Sequence, residues 1–401
     1  MRVSNFAAAL SALLLCTTAS AQTPSPPGPP RAGEAPNGLA LTPPMGWNSW
    51  NKFACNVNEA TVRATADAMV SSGMRDAGYV YVVIDDCWHG PRDGDGFITA
   101  DKEKFPSGIK ALADYVHSRG LKFGIYSDAG RHTCGGRPGS EGHEYQDALA
   151  YARWGVDYLK YDWCDTGTRN AEEAYKLMAD ALRATGRPIV FSMCEWGTSK
   201  PWLWASKVGN LWRTTGDVID HWEGKYTYSW DVATIADMNE PLWSYAGPGH
   251  WNDADMLEVG NGGLTDTEYR AHFSLWAMMA SPLMAGNDVA NMSEATKAIL
   301  LNREVIAVDQ DPLGFQGHRV WKEGTSEIWL KPLTGGRQAL LLFNRATAPA
   351  TIAATWAMLG RPADQKLRVR DLWAHRDLPS ARASYSALVP PHGVQMVVVQ
   401  P

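Results

Sequence analysis

The stretch Val156-Asp157-Tyr158-Leu159-Lys160-Tyr161-Asp162-Trp163-Cys164 predicts a buried β-strand that ends in a carboxylate. Side chains alternate between the two faces of a strand, so Lys160 and Asp162 point to one side. Leu159 and Tyr161 then point to the other. Burying a lysine and an aspartate on one face of an apolar strand is costly unless they are paired or functional. The stretch alone therefore allows a structural ion pair or a functional site.

Apolar runs of the same kind recur along the chain. The predicted strands are Pro44–Trp47, Gly78–Ile84, Leu121–Tyr126, the quoted stretch, Pro188–Cys194, Asn210–Arg213, Trp251–Asp253 and Pro282–Ala285. Helical patterns between them cover Gly108–Arg119, with Ser107 as predicted N-cap and Gly120 as stop, Tyr145–Trp154, and Ala171–Ala184, with Asn170 as N-cap and Gly186 as stop. Strands that alternate with helices predict right-handed βαβ units and a parallel sheet.

About eight strands before Asp311 favour an α/β fold of the (β/α)8 TIM-barrel type. The alternative is a doubly wound open sheet, but no G-x-G-x-x-G or Walker loop follows any strand. A barrel carries its active site at the carboxyl ends of its strands. Seven acids fall at such ends: Asp85, Asp86, Asp128, Asp162, Glu195, Asp217 and Asp253.

The two ends of the chain differ from the predicted barrel in their sequence patterns. Arg2, the apolar run Phe6–Cys16 and Ala19-Ser20-Ala21 predict a signal peptide over residues 1–21, cleaved before Gln22. A Pro-rich linker over 22–40 precedes the barrel, 41–314. Short alternating runs over 315–401 predict a C-terminal antiparallel β-sandwich. We expect an exported protein, periplasmic or secreted, without a membrane partner. The net charge of −6 argues against a nucleic-acid partner.

A ring of carboxylates in a chain with 18 tryptophans suits three uses: a divalent-metal site, glycoside hydrolysis by paired carboxylates, or sugar binding alone. A metal site usually adds histidines at ligand spacing, and the strand ends supply none. A cation site made only of oxygen ligands is the alternative, but we expect no metal and no cofactor. Two carboxylates that flank a glycosidic bond are the minimal equipment for its hydrolysis.

Ordered motifs identify a family. They are Met45-Gly46-Trp47-Asn48-Ser49-Trp50, Asp85-Asp86-Cys87-Trp88, Tyr158-Leu159-Lys160-Tyr161-Asp162, Cys194-Glu195-Trp196-Gly197, Trp212-Arg213-Thr214-Thr215-Gly216-Asp217, Gly247 to Leu257, and Gln310-Asp311-Pro312-Leu313-Gly314. This set resembles the α-galactosidases of glycoside hydrolase family 27, the melibiases. The resemblance implies a retaining exo-glycosidase that releases terminal non-reducing α-D-galactosyl residues by double displacement.

The resemblance also implies site residues. Asp162 would be the nucleophile and Asp217 the acid/base. The implied substrate-binding residues are Trp47, Asp85, Asp86, Tyr126, Lys160, Cys194, Glu195, Trp196, Arg213 and Asp255. In this scheme Asp85 and Asp86 bind the 6- and 4-hydroxyls, Lys160 the 3- and 4-hydroxyl side, and Arg213 the 2-hydroxyl region. Trp47 and Tyr126 are the walls, the segment Cys194–Trp196 fills the space beside the 2-hydroxyl, and Asp255 supports the site.

Five cysteines remain after the predicted signal peptide. The family's pattern implies disulfides Cys55–Cys87 and Cys134–Cys164, with Cys194 as the odd thiol. An alkylating reagent would then label Cys194 without reduction.

Other functions fit some of these features. An α-N-acetylgalactosaminidase would carry small residues in place of Glu195 and Trp196, and a β-L-arabinopyranosidase would alter Asp85. A catalytically silent galactoside-binding barrel would not need both Asp162 and Asp217. The substrate class remains open between oligosaccharides, galactomannan side chains and glycolipids.

Overall fold

The structure, a computed structural model, describes residues 37–224 and 226–401. The predicted signal peptide and most of the predicted linker lie outside these residues. Within the two ranges, no helix is long and apolar enough to cross a membrane.

Eight parallel strands form the first sheet. They are β1 Met45–Asn48, β2 Tyr81–Ile84, β3 Lys122–Asp128, β4 Tyr158–Asp162, β5 Val190–Cys194, β6 Leu211–Arg213, β7 Trp251–Asp253 and β8 Leu283–Ala285. Their order is β7-β6-β5-β4-β3-β2-β1-β8, so each strand lies beside its neighbour in sequence. A parallel bridge between Leu257, just after β7, and Ala285 in β8 joins the two edges. The sheet is the (β/α)8 barrel that the sequence predicts.

Helices cover the outside of the barrel. The longer ones are α1 Glu59–Ser71, α2 Gly108–Ser118, α3 Glu144–Trp154, α4 Ala171–Ala184, α5 Val232–Asn239, α6 Asp266–Met278, α7 Glu294–Leu300 and α8 Arg303–Asp309. Asn170 caps α4 as predicted, since its side chain accepts a hydrogen bond from the Glu173 N–H. Ser107 occupies the N-cap position of α2, as predicted, but without a side-chain cap. Its backbone N–H donates to Glu59 Oε2 in α1.

Strand alternation divides the barrel's apolar side chains into two cores. Leu159 and Tyr161 of β4 are fully buried in the core between strands and helices, whereas Tyr158 packs inside the barrel with residues of β2, β5 and β6. Burying one side chain the size of Leu159 stabilises the fold by about 1.5–3 kcal/mol. This packing fixes the register of β4 and turns Lys160 and Asp162 towards the barrel axis.

The C-terminal region is antiparallel. Its strands are β9 His318–Glu323, β10 Ser326–Pro332, β11 Gln338–Asn344, β12 Ala350–Thr355, β13 Lys366–Asp371, β14 Arg376–Arg382, β15 Ser384–Val389 and β16 Val394–Gln400. Six of them form a sheet in the order β9-β10-β11-β16-β13-β14, and β12 pairs with β15. The two sheets enclose a separate apolar core that includes Ile328, Leu340 and Trp356. This is the β-sandwich that the sequence predicts.

Candidate active site

A cavity opens at the carboxyl ends of the barrel strands. It has an empty volume of about 400 Å3 and is lined by Trp50, Asn51, Asp85, Asp86, Tyr126, Cys134, Lys160, Asp162, Trp196, Arg213, Asp217, Asp255 and Met256. Five of these residues are acids, and we call it the acidic cavity.

Asp162, the last residue of β4, is held from two sides. Its Oδ2 accepts a hydrogen bond from the Tyr126 hydroxyl at 2.9 Å, and its Oδ1 accepts one from the Trp163 N–H at 3.0 Å. Burial raises the pKa of Asp162 to about 6, while the Lys160 ammonium acts in the opposite direction and Asp217 adds to the rise. Asp162 is therefore mostly ionised at neutral pH and protonated below about pH 6.

Lys160 pairs with an acid on another strand rather than with Asp162. Its Nζ donates to Asp85 Oδ2 at 2.8 Å, and the Asn48 side-chain amide donates to the same oxygen at 2.7 Å. Burial opposes the charge on Lys160, but the carboxylates around it, Asp85 first, outweigh burial and raise its pKa. The lysine therefore stays charged between Asp85 and the end of β4.

Asp86 is fixed by the loops that surround it. Its Oδ1 accepts from the Cys87 N–H and its Oδ2 from the Gly135 N–H, each at 2.6 Å, and burial raises its pKa. Disulfides Cys55–Cys87 and Cys134–Cys164 join the loops after β1 and β2, and after β3 and β4. Cys134 reaches the cavity wall. The two bridges thus brace the loops that position the acids.

Asp217 lies at the open side of the cavity, with 52% of its side chain exposed. Arg213 Nη2 lies 3.2 Å from Asp217 Oδ1 and 3.0 Å from Asp255 Oδ2. Asp255 Oδ2 also accepts from the Val218 N–H at 2.7 Å. Burial raises the pKa of Asp255 and Arg213 lowers it. The buried Arg213–Asp255 pair therefore holds both ends of the short segment that carries Asp217.

Trp47, expected as a wall of the sugar site, does not line the acidic cavity. Trp47 is fully buried, packs in the core and donates its indole N–H to the Asn287 carbonyl at 2.8 Å. Alternation along β1 turns Asn48, not Trp47, towards Asp85. Trp50, in the turn of helix after β1, lines the cavity instead. Tyr126 lines it as expected and is more than a wall, since its hydroxyl binds Asp162.

The segment after β5 reaches the cavity through Trp196, not Glu195. Glu195 is fully buried, and its Oε2 accepts from the Thr198 hydroxyl at 2.7 Å and the Ser199 N–H at 2.6 Å. Cys194 lies deeper and is the one cysteine without a disulfide among the described residues; Arg213 Nη1 approaches its sulfur to 3.7 Å. Burial raises the pKa of the Cys194 thiol well above its usual value.

Three strand-end acids do not line the acidic cavity: Asp128, Glu195 and Asp253. Asp128 accepts from the Gly130 N–H at 2.7 Å and the Cys164 N–H at 2.9 Å, and Asp253 accepts from the Asp255 N–H at 2.8 Å. Burial raises the pKa of Asp128 to about 8 and that of Asp253 to about 6. Asp128 also lies beside Cys134 and Cys164 in a group with metal-ligand spacing, but those two sulfurs are bonded to each other and offer no thiolate.

Sequence reasoning missed four lining residues: Trp50, Asn51, Cys134 and Met256. Trp50 and Asn51 come directly after β1, so the strand-end rule that selected the acids also applies to them. Met256 follows Asp255, which has a left-handed φ of 74°. The sequence does not single out that turn, since a positive φ is uncommon in residues other than glycine.

Comparisons with known proteins agree with this geometry. Residues 42–311 match the family model described as alpha galactosidase A, and residues 323–399 match the alpha galactosidase C-terminal beta sandwich domain. Alpha-galactosidase A of Cellvibrio japonicus is 54% identical over 377 residues, covering 90% of this chain and 93% of that protein.

Solved structures are similar too. Alpha-galactosidase I from Mortierella vinacea has a TM-score of 0.88 and 41% identity, covering 91% of this chain and 98% of that one. The alpha-galactosidase from Saccharomyces cerevisiae, solved with raffinose, has a TM-score of 0.88 and 34% identity, covering 92% of this chain and 99% of that one.

Proposed function

The chain belongs to the melibiases, the α-galactosidases of glycoside hydrolase family 27, and we propose that Asp162 is its nucleophile and Asp217 its acid/base. It is a glycoside hydrolase that removes terminal α-D-galactosyl residues with retention of configuration. The observation that carries the proposal is the contrast between the two acids in one cavity. Asp162 is buried and hydrogen-bonded on both oxygens, whereas Asp217 is half exposed at the cavity's open side.

In the first step, an ionised Asp162 oxygen bonds to the anomeric carbon while the bond from that carbon to the leaving oxygen breaks. Asp217 gives its proton to the leaving oxygen. In the second step, Asp217 takes a proton from water, the water oxygen bonds to the anomeric carbon, and Asp162 leaves as a carboxylate. The Tyr126 hydroxyl and the Trp163 N–H hold the nucleophile in place and favour its charged form.

The remaining assignments place galactose among the lining residues. Asp85 and Asp86 accept hydrogen bonds from the 6- and 4-hydroxyls, Lys160 donates on the 3- and 4-hydroxyl side, and Arg213 serves the 2-hydroxyl region. Trp50 takes the wall position expected of Trp47. Trp196 alone fills the space beside the 2-hydroxyl, with Cys194 and Glu195 behind it. Asp255 keeps its supporting role, through Arg213 and Val218.

Azide rescue tests the two catalytic assignments separately. In Asp162→Gly, azide takes the place of the missing carboxylate and attacks the face opposite the leaving group, so an activated aryl α-galactoside should give β-galactosyl azide. In Asp217→Gly, Asp162 still forms the glycosyl-enzyme, and azide then attacks it to give α-galactosyl azide. Identical azide products from both variants, or rescue of neither, would refute the assignment. Glu195→Gly is the matched control and should give neither azide.

We further propose that the substrates are α-galactosyl oligosaccharides. The raffinose bound in the Saccharomyces cerevisiae structure supports this class. Hydrolysis of raffinose at a rate comparable with that of aryl α-galactosides would agree with it. No detectable turnover of raffinose would contradict it.

We also propose export, and division of the mature chain into a barrel, 41–314, and a sandwich, 315–401. Two disulfides support export, because such bonds persist in oxidising compartments. Amino-terminal sequencing of the protein from its own host should begin at Gln22. A chain that retains Met1 would contradict export by this signal.

A further inference from the structure

A second, wider cavity opens beside the acidic cavity. Its empty volume is about 1000 Å3, and we call it the outer cavity. It is lined by Trp50, Asn51, Lys52, Ala54, Asp217, Val218, Ile219, Asp220, Ser229, Glu258 and Asn261. Trp50, Asn51 and Asp217 line both cavities. The two spaces therefore meet at the proposed acid/base.

The position of Asp217 gives the outer cavity a place in the reaction. A general acid must come within hydrogen-bond distance of the atom that it protonates. That atom is the oxygen between galactose and the group that leaves. With galactose beside Asp162 in the acidic cavity, the leaving group extends past Asp217 into the outer cavity. This step rests on the proposed function.

One wall of the outer cavity is a hydrogen-bonded group of polar side chains. Glu258 accepts a hydrogen bond from the Asn51 amide on Oε1 and from the Asn261 amide on Oε2. Burial raises the pKa of Glu258 to about 8. The wall therefore presents amide and carboxyl groups, which suit hydroxyl groups better than hydrocarbon.

The charged side chains of the outer cavity differ in whether they already have hydrogen-bond partners. Asp220 is held by the Tyr269 hydroxyl at 2.9 Å and by the Gly263 N–H. Lys52 is exposed, and it makes no hydrogen bond or ion pair with any residue that the structure describes. Its ammonium has three donors free for a ligand.

We propose that Lys52 determines specificity for the leaving group, because it donates hydrogen bonds to the hydroxyls of a leaving-group sugar in the outer cavity. Lys52 then favours galactosides whose leaving group carries hydroxyls over those whose leaving group has none. An apolar aglycone would take the place of water around the Lys52 ammonium without accepting a hydrogen bond from it, at a cost in binding.

The test compares two substrates in the full-length enzyme and in Lys52→Met, which keeps the length of the side chain and removes its donors. We expect kcat/KM for raffinose to fall about five- to tenfold, as for the loss of one hydrogen bond of ordinary strength. We expect kcat/KM for 4-nitrophenyl α-galactoside to change less than about twofold, because the nitrophenyl leaving group has no sugar hydroxyls for Lys52 to bind. Sucrose, the leaving group of raffinose, should inhibit Lys52→Met more weakly than the unaltered enzyme.

Lys366→Met is the matched control, since Lys366 is an exposed lysine in β13 of the C-terminal region. It should leave both substrates unchanged. Equal loss on both substrates in Lys52→Met, or no loss on raffinose, would overturn the proposal. The azide products test Asp162 and Asp217, whereas the substrate ratio tests Lys52, so either result can fail without the other.

Discussion

Replacing Tyr126 by phenylalanine should shift the acid limb of the pH–rate profile and little else. The change removes the hydroxyl that donates to Asp162 Oδ2 at 2.9 Å and keeps the ring, over which the Lys160 ammonium lies 5.5 Å from the centroid. The hydroxyl favours the charged form of Asp162, in the same direction as Lys160 and against burial, Asp217 and Asp85. Its loss therefore raises the pKa of the nucleophile.

A hydrogen bond to a charged group contributes about 1.5–3 kcal/mol, and about 1.36 kcal/mol changes an ionisation equilibrium tenfold. The pKa of Asp162, about 6 in the unaltered enzyme, should therefore move to roughly 7–8. The ionised fraction at pH 6 then falls about five- to fiftyfold, whereas at pH 8 it falls about twofold at most.

The assay is kcat/KM for 4-nitrophenyl α-galactoside from pH 4.5 to 8.5, because this ratio reports the ionisation of the free enzyme. Tyr161→Phe is the matched control. Tyr161 is a buried tyrosine of β4 on the opposite face, and its hydroxyl has no hydrogen-bond partner among the described residues. An acid limb that stays in place in Tyr126→Phe, or that moves equally in Tyr161→Phe, would refute the reasoning.

Three other outcomes follow from the buried charges. Asp128, Glu258 and Asp309 have pKa values of about 8, raised by burial, so the folded chain binds more protons than the unfolded chain from about pH 4 to 8. Urea titrations should therefore show the unfolding free energy falling by at least ~2 kcal/mol from pH 6 to pH 8. A rise over this range would contradict the prediction. Iodoacetamide should label Cys194 in the unfolded, unreduced chain and leave it unlabelled in the folded chain, because the thiol is buried. Mass spectrometry of tryptic peptides measures the labelling, and a labelled Cys194 in the native protein would contradict the prediction. Asp255→Ala should lower the unfolding free energy by about 3–5 kcal/mol, because it removes the carboxylate paired with the buried Arg213. Asp114→Ala, at the exposed Lys110–Asp114 pair, is the control and should lower it by about 0–1 kcal/mol. Similar losses in the two variants would argue against a stabilising buried pair.

The sequence predicted the barrel well because each strand signal was local and repeated. Short apolar runs had to be buried, and the helices between them had to cross over in one direction. The strand bounds differ from the predictions by up to three residues; for instance, Tyr81–Ile84 lies within the predicted Gly78–Ile84. Ser107 shows a limit of local signals, since it occupies the predicted N-cap position but its side chain makes no capping hydrogen bond.

The site was harder to predict because it depends on which face of each strand turns inward. In β1 the contact between Asn48 and Asp85 sets that face, so Trp47 points outward and Trp50 reaches the cavity. The same alternation in β5 turns Glu195 away from the cavity. Alternation is visible in a sequence, but the inward face is fixed by contacts between strands far apart in the chain.

The edge where β7 meets β8 gives the barrel a line of weakness. Five residue pairs join β3 to β4, whereas β7 and β8 meet through the bridge between Leu257 and Ala285. Local opening should concentrate there, and backbone amides beside Leu257 should exchange with solvent deuterium sooner than those of β4. Asp255 and Met256, just before that bridge, line the acidic cavity opposite the acids of β2 and β4. A bound sugar would span this joint, so occupancy and closure of the barrel would reinforce each other.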